Sequence, residues 1–131
     1  MLFRSDVIRG VTGALFSNLT SAEVVAADGF TAFNSNGFGL DNSGSGGNVN
    51  VSGRTYVAWQ WKAGAGTTSS NTSGSITSTV SVNTTAGFSI VTYTGTGSAA
   101  TVGHGLGVAP KMVIVKRRNS TGSWQIGRAH V

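Results

Sequence analysis

The residues able to do chemistry in this chain are few and scattered: four acidic residues, two histidines and no cysteine. His104 lies in Gly-His-Gly-Leu-Gly (103–107). A triad built on it would need an oriented acid and an activated nucleophile, and neither stands nearby at catalytic spacing, so a loop hydrogen bond is the simpler role. The same glycines followed by Lys111 invite comparison with a phosphate-cradling loop. However, the Gly-Lys-Ser/Thr ending is missing and strand-like residues follow where a helix N-terminus would be needed. Glu23, Asp28 and Asp41 lack the ordered spacing of a calcium loop, and a glycosidase requires two carboxylates at a set separation. No catalytic residue, metal site or cofactor is therefore expected, and the chain reads as a non-enzyme.

Binding is better represented than catalysis. Lys116-Arg117-Arg118 is the one basic cluster, and strand alternation splits it between two faces. Nucleic-acid binding would want a broader basic stripe interleaved with stacking aromatics, so no nucleic-acid partner is expected. Tyr56 and Tyr93 are the candidate ligand contacts, since exposed aromatic rings stack on sugars. Trp59 and Trp61 share a face with Val57 and are assigned to the core. Asn18, Asn50, Asn71, Asn83 and Asn119 open Asn-x-Ser/Thr triplets, which this composition produces by chance.

The elements that must position these side chains are strands. Glycine and β-branched residues are poor helix formers, whereas Val, Thr, Ile and aromatics suit pleated strands. With 131 residues, 20 glycines, one proline and 10% charged residues, the chain reads as about one domain's worth of all-β structure. Without cysteine the redox compartment stays undetermined. No stretch approaches the apolar length of a membrane span, so no membrane insertion is expected.

The anchor of this reading is Arg-Thr-Tyr-Val-Ala-Trp-Gln-Trp-Lys (54–62). Period-two alternation puts Val57, Trp59 and Trp61 on one face and Tyr56, Ala58, Gln60 and Lys62 on the other, as in a half-buried central strand. Before it, 7–17 suits a short strand, Thr20 and Glu23 have the spacing of a helical capping turn, and runs 30–33 and 37–40 flank an Asn-Ser-Asn-Gly hairpin signal. Residues 41–53 form a Gly/Asn/Ser loop. The Gly/Ser/Thr run 63–75 reads as a linker too poor in apolar surface to order itself. Beyond it, Ile76, Val80 and Val82 share one strand face, 87–94 and 111–116 read as strands, and a last strand begins at Ser123 and Trp124.

Both ends resemble translated sequencing adapters: Leu2-Phe3-Arg4-Ser5 is what CTC-TTC-CGA-TCT encodes, and 126–131 is what ATC-GGA-AGA-GCA-CAC-GTC encodes. Residues 1–5 and 126–131 are accordingly set aside as non-native. Without Arg4 and Arg128, seven basic residues face four acidic ones, so the formal +5 becomes +3.

Three motifs carry a family resemblance: Ser-Gly-Arg-Thr-Tyr-Val-Ala-Trp-Gln-Trp-Lys-Ala-Gly (52–64), Thr-Thr-Ala-Gly-Phe-Ser-Ile-Val-Thr-Tyr-Thr-Gly (84–95) and Val-Gly-His-Gly-Leu-Gly-Val-Ala-Pro-Lys-Met-Val-Ile-Val-Lys (102–116). Together they resemble repeat domains of tail-fibre-like structural proteins of marine bacteriophages. The resemblance implies lectin-like antiparallel β-sandwich repeats of jelly-roll or concanavalin-like type, with 6–62 closing one repeat and 76–125 opening the next. It also implies a virion appendage acting outside the cell, with neighbouring repeats, other copies in a fibre and host-surface glycans as partners. A passive spacer repeat and a secreted bacterial adhesin domain are the alternatives. At a repeat junction, the tryptophans of 54–62 would be covered only if the second half folds back on them, with Phe88 or Ile114 as the covering residue.

Overall fold

A computed structural model of the chain describes residues 3–26, 29–41, 49–64 and 67–128. Asp28, residues 42–48 of the Gly/Asn/Ser loop, residues 65 and 66 of the expected linker, and the outermost residues of both adapter-like segments lie outside them. The fold is all-β, as expected, with small antiparallel sheets and no helix among the described residues. Among the described residues ten strands follow in order: β1 (Phe3–Asp6), β2 (Gly10–Phe16), β3 (Val24–Val25), β4 (Phe30–Asn34), β5 (Gly37–Leu40), β6 (Ser69–Asn71), β7 (Ser78–Asn83), β8 (Phe88–Thr92), β9 (Met112–Val115) and β10 (Gln125–Arg128). They divide between two compact units, one of Met1–Trp59 with Val113–Gly127 and one of Gln60–Met112 with Arg128–Val131.

In the first unit β2 is the central strand of a three-stranded sheet, β1-β2-β3. Phe3 pairs with Phe16 and Arg4 with Leu15, and the register shifts before Asp6 meets Gly10, so a bulge sits beside the turn. The set-aside residues 3–5 thus lie within a paired strand. Ala14 and Leu15 on β2 are buried. No helical turn forms around Thr20 and Glu23. Glu23 instead lends its side chain to arginine partners and its N–H to the Arg118 carbonyl at 2.8 Å, and β3 follows. The 30–40 hairpin forms as expected, with Asn34 paired to Gly37 and Phe30 packed edge-on to Phe38 at 5.3 Å. The two-residue loop is Ser35-Asn36, so Gly37 is already the first residue of the returning strand. The stretch 113–127 joins this unit through main-chain bonds such as Gly122 N–H to the Thr20 carbonyl at 2.8 Å, and through the Trp124 indole, which donates to the Phe16 carbonyl at 2.9 Å.

The second unit is built on the sheet β6-β7-β8. Of the expected face of Ile76, Val80 and Val82, Val80 is buried on β7 and the other two half-buried, but Ser81 on the opposite face is buried as well; Val80 sits between Ser69 of β6 and Val91 of β8. The run 63–75 carries more structure than a linker. Ala63 is buried, and residues 69–71 form an antiparallel ladder with β7. Ladder hydrogen bonds come from the main chain, so small side chains do not prevent them. Ser81 is only 1% exposed, and its hydroxyl accepts the Gly64 N–H at 3.0 Å. Replacing Ser81 by alanine leaves that donor without its acceptor and is expected to cost about 1 kcal/mol or more, read as a fall in the urea midpoint at unchanged slope.

The expected central strand is the main correction. Residues 54–62 enter no sheet among the described residues and are exposed throughout, with Trp59 and Trp61 each 61% accessible. A period-two pattern makes a strand only when a neighbour supplies the ladder, and here none does. Trp61 does meet Phe88, in a stacked pair with centroids 6.2 Å apart, yet remains mostly open. The described buried apolar residues are instead small or medium: Ala14, Leu15, Ala63, Val80 and Leu106. The strand of 111–116 forms as β9, but Met112, Val113 and Ile114 are exposed. The last strand, β10, begins just past Trp124.

Candidate functional site

The turn at 51–54 is local in origin. Gly53 has φ +73 and the Arg54 N–H reaches the Val51 carbonyl at 3.2 Å, which puts the glycine at the turn position that demands a positive φ. The chain then rises through Thr55 to Tyr56, whose phenolic oxygen accepts the Val51 N–H at 3.0 Å. That bond fixes the ring against the turn while leaving Tyr56 54% exposed. Val51, Arg54, Thr55 and Tyr56 together line an open hollow of about 420 Å³. Among the described residues no carboxylate pairs with Arg54. The hollow thus offers an aromatic face, a hydroxyl and an uncommitted guanidinium on a backbone held by two hydrogen bonds.

The two candidate ligand contacts, Tyr56 and Tyr93, are both exposed. They belong to different compact units, Tyr56 to the first and Tyr93, 45% accessible just past β8, to the second. Sequence reasoning missed Arg54 as a site residue, because only the turn brings it beside Tyr56. It also placed Trp59 and Trp61 in the core, whereas both present their rings to solvent.

The other chemistry-bearing residues are committed elsewhere. His104 Nδ1 accepts the Leu106 N–H at 3.1 Å, the loop hydrogen bond anticipated for it. The His104 carbonyl accepts from Ser89 at 2.6 Å, and that of Gly103 from Ser78 at 2.9 Å, so the glycine-rich loop is buttoned to β7 and β8 by hydroxyls. In the basic cluster, Lys116 donates to the Thr20 and Arg117 carbonyls at 3.3 and 2.9 Å, Arg117 to the Ser120 hydroxyl at 3.3 Å, and Arg118 pairs with Glu23. The hydrogen bond to Glu23 raises the Arg118 guanidinium above its already high ordinary pKa, so it is charged at any pH at which the protein is handled. Among the described residues no three His, Asp or Glu side chains cluster as metal ligands.

Comparison with known proteins places the chain. The profile of a domain of unknown function, DUF7483, matches residues 2–131. The chain belongs to the DUF7483 family. The match runs through both adapter-like segments as well as the two compact units of this DUF7483 chain. No curated protein and no solved structure matches it.

Proposed function

We propose that this DUF7483 chain is a non-catalytic structural module of a phage tail fibre or similar virion appendage, and that it contacts host-surface glycans through exposed aromatic rings. One observation carries the reading: Tyr56, Trp59, Trp61 and Tyr93 are all exposed, while the buried set among the described residues is made of much smaller side chains. Large aromatics left in water are costly unless a partner covers them, and sugar rings present the flat apolar faces that such side chains cover. The order of the three sequence motifs supports the fibre context. Weak contacts of this kind become useful when many copies act together by effective concentration.

Binding of the purified chain to an array of bacterial surface glycans tests the proposal. Tyr56→Ala is expected to weaken the positive spots by about two- to tenfold per site. Absence of binding to every glycan would remove the adhesive role. A passive spacer repeat is the second reading, favoured by the exposed apolar residues of β9, which would then meet a neighbouring repeat or a second copy.

A further inference from the structure

We infer that the hollow at Val51, Arg54, Thr55 and Tyr56 selects anionic sugars: the Arg54 guanidinium takes a carboxylate or sulfate while the Tyr56 ring carries the pyranose face. This rests on the glycan-binding reading above and names the ligand class for that site.

Three observations meet here. The hollow is open and about 420 Å³ in volume, enough for a sugar residue, and among the described residues none that line it is acidic. Arg54 has no carboxylate partner among the described residues, whereas Arg9 and Arg118 are paired to Asp6 and Glu23. The wall is preorganised, since Tyr56 is tied to the Val51 N–H and the Arg54 N–H to the Val51 carbonyl. A guanidinium presents paired N–H donors that match the two oxygens of a carboxylate or sulfate, and an ordered wall lowers the cost of binding. The net positive charge of the chain, +5 in full, favours approach by an anionic polymer.

The test measures binding of the full chain to polygalacturonate, dextran sulfate, neutral dextran and a single-stranded oligothymidine, each at low salt and at about 0.15 M salt. The expected result is retention on the carboxylated or the sulfated polymer, weakening with salt, with the stronger of the two identifying the anion. Neutral dextran is expected to bind at least about tenfold more weakly. Arg54→Gln should bring the anionic polymer down to the neutral level, and Arg54→Lys should recover part of the difference. Arg54 is exposed, so both variants are expected to keep the wild-type circular dichroism spectrum. Equal binding of neutral dextran, an Arg54→Gln variant that binds as wild type, or oligothymidine binding as tight as the polysaccharides would each overturn the inference. Neutral-only binding would do so while leaving the glycan reading intact. A chain that binds no glycan of any charge overturns both.

Discussion

Arg9→Ala is expected to destabilise the chain by about 3–5 kcal/mol, the cost of removing one partner from a buried ion pair. The Arg9 side chain is 6% exposed. Its Nε reaches the Asp6 carboxylate at 2.6 Å and its Nη1 lies 3.8 Å from Glu23, both acids being largely covered themselves. The same Nη1 donates to the Gly13 carbonyl at 3.3 Å. Asp6 Oδ1 meanwhile receives the N–H groups of Ile8 and Arg9 at 3.0 Å, which shapes the turn between β1 and β2. Without the guanidinium, the shielded Asp6 carboxylate loses its ion-pair partner, Glu23 is left to Arg118, and the turn loses its closing contact. Against a total of about 5–15 kcal/mol for a small domain, that is a large share of the stability. Arg9→Lys should fall between, since it keeps the charge and loses the planar fork. Urea unfolding followed by tryptophan fluorescence measures both variants. A loss under about 1 kcal/mol would mean that the cluster behaves as an exposed ion pair does.

Gly74→Ala is expected to be the most damaging glycine substitution in the second unit. A methyl there would meet the carbonyl oxygen of Thr101, with the Thr101 carbonyl carbon at 2.7 Å and the Gly103 nitrogen at 2.8 Å. All three are main-chain atoms and cannot swing aside as a side-chain tip would. The clash falls where two segments are laced together: Ser75 and Thr101 exchange N–H to hydroxyl bonds at 2.9 Å, and the Ile76 N–H reaches the Thr101 carbonyl at 3.0 Å, next to the parallel bridge of Ile76 with Val102. Overpacking of this kind costs about 1–3 kcal/mol and sometimes more. Hydrogen exchange at the Ile76 amide should accelerate accordingly. Gly95→Ala, where the added methyl meets nothing within 4 Å, should leave it unchanged, and equal effects from both substitutions would refute the steric argument.

What could be read in the sequence was what is decided within a few residues. The 30–40 hairpin follows from two apolar runs around an Asn-rich turn, and β7 and β8 from alternation around Val80 and from a strand opening at Phe88. Long-range partners decided the rest. Residues 54–62 have the best strand pattern in the chain and no ladder, whereas 69–71 have almost no pattern and pair fully with β7. Glu23 reads as a capping residue until Arg118, 95 positions away, is brought to it. In the candidate site, the exposure of Tyr56 was foreseen, but Arg54 joins it only through the Gly53 turn.

The modest size of the described buried side chains also governs the response to temperature. Among the described residues Ser81 is the largest of those fully buried, so fully enclosed side chains add little to the hydrocarbon that unfolding releases into water. The heat-capacity increment scales with that released area, and a small increment gives a shallow, broad stability curve. Cohesion in such a molecule resides chiefly in main-chain ladders and hydroxyl bonds. Cooling, which weakens apolar burial most, should therefore leave it comparatively undisturbed.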